Sequence, residues 1–194
     1  MNNKIIIIEG YLASGKSTFA ELLSEELKIP CLIKDKFKTA LCNSISIGDR
    51  RESSRFSVVT FDGMMYVAEQ LLKTGVPLIL EGNFAPAGVK ETDESEVIRR
   101  LIQKYDSMAL TFKFTGDTRI LYRRFTEREA LPERGQANRI GRAVAYDEFC
   151  GWCHNLDPFD IGGKVVPVDT TDFGKVDFTE LKDTAGKFLA LADY

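Results

Sequence analysis

Short, unbroken apolar runs alternate along the chain with longer stretches whose apolar residues recur every three or four positions. The unbroken runs fall at residues 4–9, 31–34, 76–81, 109–114 and 164–168. They lack the polar alternation of a half-exposed strand, so they predict strands covered on both faces. A helix opens after the first run and stops before Pro30, with Phe19, Leu22, Leu23 and Leu27 on one side. A longer helix carries Val58, Phe61, Met65, Ala68 and Leu72; Gly75 caps it and Pro77 keeps it from continuing. A third runs over about 93–105, and a fourth starts near Asp117 and carries several arginines. The last opens with the capping-box pattern Asp177-Phe-Thr-Glu180 and turns Phe178, Leu181, Ala185 and Phe188 inward. Strands alternating with helices predict an α/β fold, with a parallel sheet and crossover helices. Periodicity is weakest over 130–163, where we expect a lid and its return connection.

Composition narrows the partners. The 194 residues are enough for one domain, 1–194, and hold 26 basic against 29 acidic side chains, for a net charge of -3. That balance argues against long nucleic acid as a partner, because holding a phosphate polymer asks for excess positive charge. No stretch approaches the roughly 20 apolar residues that span a bilayer. The first apolar run leads straight into a glycine-rich motif rather than a cleavage site, so a cytoplasmic location is expected. Four cysteines in a chain of this length do not suggest a disulfide framework.

That motif carries the chemistry. Residues 10–17 read Gly-Tyr-Leu-Ala-Ser-Gly-Lys-Ser and fit G-x-x-x-x-G-K-[ST]. Gly10 lets the chain turn sharply off a strand, and Gly15 lets the backbone approach a phosphate. The amides from about Ala13 through Ser14, Gly15, Lys16 and Ser17 to Thr18 then surround the anion at the positive end of a helix. Lys16 adds a point charge for the outer phosphates, and the Ser17 hydroxyl takes a place on Mg²⁺. By chance the pattern arises in on the order of one in a hundred chains of this length. Here it also follows an apolar strand and opens an amphipathic helix, as the motif requires. The ligands expected are therefore ATP and Mg²⁺. There is no N-K-x-D element of guanine-specific switches and no LSGGQ-like signature of transporter ATPases. A small nucleotide-dependent phosphotransferase remains.

GYLASGKSTFAELL, LIKDKFKTAL, PLILEGNF and TGDTRILYRRFTER together resemble the small P-loop kinases often labelled AAA-family ATPase or zeta-toxin-like. Gluconate kinase, chloramphenicol phosphotransferase and polynucleotide kinase are similar in plan. The resemblance covers about residues 5–128 and returns at VVPVDTT. It implies a three-layer α/β/α P-loop fold with five parallel strands in the order 2-3-1-4-5. The active site would lie at the strand C-termini, as the general rule for open α/β sheets also has it. An arginine-bearing helical lid would lie within about 119–150.

The resemblance also implies roles. Asp35, just past the second strand, would accept or orient the proton of an acceptor hydroxyl; its bland reading is a helix N-cap. Glu81, ending the third strand, would organise Mg²⁺ through water, where many such proteins carry Asp. Asn83 and Phe84 would face the acceptor. The arginines pair at i, i+4, Arg119 with Arg123 and Arg124 with Arg128. At least one of Arg124 and Arg128 is expected to reach the nucleotide and stabilise the transferring group, and the others to be structural or solvated. Arg134, Arg139 and Arg142 extend the basic character into the lid.

Two other patterns are discounted. Cys150-Gly-Trp-Cys153-His154 has the spelling of a haem attachment site and its first four residues that of a redox pair. Haem attachment needs an export context, and zinc would need a fourth ligand, for which Asp157 is the only nearby candidate in the sequence. Asp172-Phe-Gly174 resembles a protein-kinase magnesium motif without its companion loops. The leading expectation is ATP-dependent phosphorylation of a small-molecule or nucleotide hydroxyl. A hydrolase or switch acting with a protein partner, and an ATP-binding module without turnover, are the alternatives.

Overall fold

The computed structural model describes residues 3–45, 50–86, 88–89, 93–131 and 135–191, the side chains of 50–54 and 135–136 excepted. Its elements in chain order are β1 (Lys4–Gly10), α1 (Lys16–Leu27), β2 (Cys31–Ile33), α2 (Lys34–Asn43), α3 (Arg50–Lys73), β3 (Leu78–Glu81) and α4 (Glu94–Lys104). There follow β4 (Met108–Thr115), α5 (Thr118–Glu129), α6 (Gly135–Asn138), α7 (Tyr146–His154), β5 (Lys164–Asp169) and α8 (Phe178–Ala190).

The five strands form one parallel sheet in the order β2-β3-β1-β4-β5. The central strand explains the layers. Its four isoleucines are wholly buried and alternate between two cores, as a period of two demands. Ile5 and Ile7 pack with Phe61, Met64 and Ala68 of α3 and with Ile98 and Leu101 of α4. Ile6 and Ile8 pack on the other face with Phe19, Ala20 and Leu23 of α1 and with Leu181, Ala185 and Phe188 of α8. Removing one such ring, as in Phe19→Ala, costs about 3–5 kcal/mol. No helix of the described residues is long and apolar enough to cross a membrane.

The helix ends follow their local chemistry. Asp93, Asp117 and Asp177 each cap a helix through the side chain. Gly75, at φ 72°, closes α3, with Gly75 N donating to Leu72 O and Val76 N to Leu71 O. Three expectations are corrected. Leu22 and Val58, placed on buried faces by the periodicity, are about half exposed. Lys34, read as the end of a strand, starts α2. β5 is exposed along most of its length, with Val168 its buried residue, because it is an edge strand; Pro167 suits an edge, where a missing N–H costs no ladder bond.

Candidate active site

The site is built outward from Gly10. A Cβ at this residue, at φ 121°, would stand 2.0 Å from the carbonyl oxygen of Phe114 on β4. Only glycine therefore lets the chain leave the sheet here. Tyr11 N donates to that same oxygen at 2.8 Å, and the loop then turns through Ala13 at φ 59° and Gly15 at φ 87°. Lys16 Nζ donates to the carbonyls of Gly10, at 2.9 Å, and Tyr11, at 2.6 Å; the Ser14 hydroxyl also donates to Tyr11 O, at 2.7 Å. The loop thus holds its own lysine. α1 takes no side-chain cap at Gly15, so its first-turn amides suit an anion.

Charge is concentrated under and beside the loop. Lys16 is buried, which pulls its ammonium below the usual lysine range against the raising effect of Glu81 and Glu9. Burial pushes the Glu81 carboxyl up to about 7; Asp35 adds to the rise, while Lys16, the Ser17 hydroxyl and Arg128 oppose it. Ser17 and Glu81 thus form a pair of hard oxygen donors beside a lysine, a set that fits Mg²⁺.

Two chambers open from this centre. One, of about 360 Å³, is lined by Lys16, Ser17, Asp35, Glu81, Asn83 and Arg128 among others. The other, of about 770 Å³, runs along residues 13–18 to Arg124, Arg128 and Phe173. Lys16, Ser17, Asp35, Arg128 and Asn138 border both. The geometry gives a junction at the phosphate loop, with one arm toward Phe173 and one toward Asn83.

The structure brings together most of the residues singled out above. Gly10, Ala13, Ser14, Gly15, Lys16, Ser17 and Thr18 make the loop and the start of α1. Asp35 is exposed, in the first turn of α2 and not at its N-cap, which is Ile33. Arg128 borders both chambers. Arg124 donates to the carbonyls of Thr170, at 2.6 Å, and Thr171, at 3.0 Å, and its guanidinium lies 4.1 Å from the Phe173 ring centre. Arg119 and Arg123 face outward. Further along the chain, Arg139 donates to Leu131 O and Arg142 forks onto Glu148; Arg134 lies outside the described residues. Phe84 is a correction. Its ring is wholly buried in the core near Phe61 and Phe159, so it does not face an acceptor; the chain turns after Glu81 so that Asn83 points to the chamber and Phe84 to the core.

Sequence reasoning missed several neighbours. Phe173 stands against Gly15, where an added Cβ would come within 2.9 Å of the ring; the motif DFG hid it. Asn138 Nδ2 donates to Asp35 O and to Thr39 Oγ1. Trp152 and Asn155, from the end of α7, line the smaller chamber. Cys153 is buried with Phe125 and Phe149 in a core cluster behind the loop, and burial pushes its thiol up to about 11. Glu9, one residue before the loop, is wholly buried with neither carboxylate oxygen hydrogen-bonded, and burial pushes it up to about 7 against the pull of Lys113, 3.9 Å away, and Lys16.

The glycine-rich loop between β1 and α1 and the parallel strand order 2-3-1-4-5 are those of the P-loop fold. No family model matches the chain, and no curated protein matches it by sequence. Solved structures do. A protein of Chloroflexus aurantiacus assigned provisionally as a kinase superposes with a TM-score of 0.85 at 23% identity, over 97% of this chain and 99% of that one. Shikimate kinase from Acinetobacter baumannii gives 0.60 at 12% identity, over 96% and 93%. A gluconokinase from Sinorhizobium meliloti gives 0.52 at 14%, over 97% and 91%. The chain therefore shares their fold.

Proposed function

We propose that the chain is a single P-loop kinase-like domain that transfers the γ-phosphoryl group of ATP to a hydroxyl of a small molecule or nucleotide. One observation carries this reading. Lys16 and Ser17, which would meet the donor phosphates, and Asp35, an exposed carboxylate that would meet an acceptor, border the same junction between two chambers. A binding module would need only the first two. Neighbours named for shikimate and gluconate agree with a small hydroxylated acceptor.

The roles follow from position. The loop amides and Lys16 hold the β- and γ-phosphates. Ser17, and Glu81 through water, would hold Mg²⁺, which when bound neutralises charge on the phosphate oxygens. The acceptor oxygen attacks the γ-phosphorus, the bond to the ADP oxygen breaks, and the hydroxyl proton passes to Asp35. Arg128, bordering both chambers, stabilises the charge of the transferring group. Arg124, held by Thr170 and Thr171, braces Phe173 at the far end of the donor chamber.

Incubation with γ-labelled ATP and Mg²⁺ across a panel of hydroxyl-bearing metabolites tests this. Label in one acceptor is the expected result. Label found only in inorganic phosphate, with every acceptor unmodified, would assign the chain to hydrolysis.

A further inference from the structure

The smaller chamber carries an inference about what is phosphorylated, resting on the kinase reading above. Its walls come from two separate elements. α7 ends there with Trp152 and, three residues on and so on the same helical face, Asn155. The β3–α4 connection contributes Asn83, with Val89 beside it. Trp152 is only partly buried. It packs with Phe125 behind the phosphate loop, ring centres 6.3 Å apart, and also lines the chamber.

Each feature restricts the ligand. A chamber of about 360 Å³ lies near the low end of the roughly 300–1,000 Å³ typical of small-molecule sites. A tryptophan in its wall offers a broad apolar surface suited to a ring. Two side-chain amides each present donors and an acceptor, which match neutral polar edges. Among the described residues that line this chamber and not the other, Lys38 is the cationic side chain and none is arginine. Recognition of a carboxylate or phosphate favours the planar guanidinium fork. The arginine present, Arg128, stands at the shared phosphate end.

We infer that the acceptor is a small, uncharged, ring-bearing alcohol, held against Trp152 with its polar edge read by Asn83 and Asn155. Such chemistry is found in nucleosides and in neutral cyclic sugars. Its hydroxyl points toward Asp35 at the junction.

Trp152 is the chain's one tryptophan, so its fluorescence reports this wall in the absence of ATP. Nucleosides, neutral pyranosides, anionic sugar acids and open-chain polyols would each be titrated with the emission followed, then tested for phosphate transfer from labelled ATP. A neutral ring compound should change the emission saturably and accept label; which of the two ring classes does so identifies the source. Asn155→Ala should raise that compound's KM by about tenfold while leaving the KM for ATP unchanged, and Trp152→Leu should raise the compound's KM at least as much. If Trp152→Leu does not fold, Asn155→Ala and the wild-type titration still decide. Transfer to sugar acids or open-chain polyols with no change in emission would overturn the inference and leave the kinase reading standing. No emission change with any ring compound and no transfer to one would also overturn it. A saturable change with a ring compound that never accepts label would overturn it too, because the ligand of this wall would not be the acceptor; no label in any compound at all would defeat the kinase reading instead.

Discussion

Asn138 Nδ2 donates to the main-chain oxygen of Asp35 at 3.0 Å and so ties α6, in the region expected to form the lid, to the helix that carries the candidate base. A second bond from the same nitrogen reaches Thr39 Oγ1 at 2.8 Å, one turn further along α2. The contact makes the position of Asp35 depend on α6.

Asn138→Ala removes both bonds at a partly exposed site. Stability should fall by about 1–2 kcal/mol at most, in line with ordinary hydrogen bonds. A carboxylate misplaced by a fraction of an ångström should cost more, and we expect kcat for transfer to fall by about tenfold or more. Steady-state kinetics beside a thermal melt separates the two. An unchanged kcat would leave Asn138 a helix-packing residue.

The phosphate loop predicts a ligand-linked gain in stability. ATP with Mg²⁺ should raise the melting temperature, because a ligand that binds only the folded state stabilises it. Lys16→Ala should abolish most of that shift while the protein stays folded, since Lys16 bonds only to loop carbonyls among the described residues. The same ATP shift in the variant would remove the loop from nucleotide binding.

The two arginines of α5, Arg124 and Arg128, should behave differently. Arg128 borders both chambers, and an arginine that meets the transferring group is worth about 10³–10⁵ in rate. Arg128→Ala should therefore slow single-turnover transfer far more than it weakens ATP binding. Arg124 is committed to Thr170, Thr171 and Phe173, so Arg124→Ala should act mainly on ATP affinity. Exposed pairs are worth no more than about 1 kcal/mol. Small equal losses in rate and affinity for Arg128→Ala would place it with the solvated arginines.

Glu9 predicts a pH dependence of stability. Its carboxyl rises from 4.5 to about 7 on folding, with burial the main cause. Between those values the folded state holds the proton and the unfolded state does not. Stability from this residue is therefore full below pH 4.5, falls as pH rises toward 7, and is flat above it. The span is up to about 3 kcal/mol. Glu9→Gln keeps the shape and removes the charge. It should stabilise the protein at pH 8 and flatten this part of the profile in urea titrations. A variant less stable than the parent at pH 8 would show that Glu9 is held as a useful charge by Lys113 and Lys16.

The sheet was legible because each strand is an apolar run and each crossover helix carries its own period and cap. The turn from β1 into α1 was legible because glycine spacing encodes backbone turns directly. The acceptor side was not. α2 has a weak apolar face, and α7 is short, with its tryptophan and cysteines inviting other readings. Phe84 misled because its neighbour Asn83 does line the chamber, and the sequence does not say where the strand's alternation ends. Phe173 and Asn138 reach the site from 103 or more positions away in the chain, through contacts that no local pattern encodes.

The most direct test of the central claim compares wild-type protein with Asp35→Asn, using γ-labelled ATP and Mg²⁺, the panel of hydroxyl compounds, and ATP affinity measured on the same samples. Asp35 borders the junction from the first turn of α2, outside the loop itself. The variant should bind ATP as the parent does and transfer label at a rate lower by on the order of 10²-fold or more. Equal transfer by both proteins, or label released only as inorganic phosphate by both, would contradict a kinase in which Asp35 handles the acceptor hydroxyl.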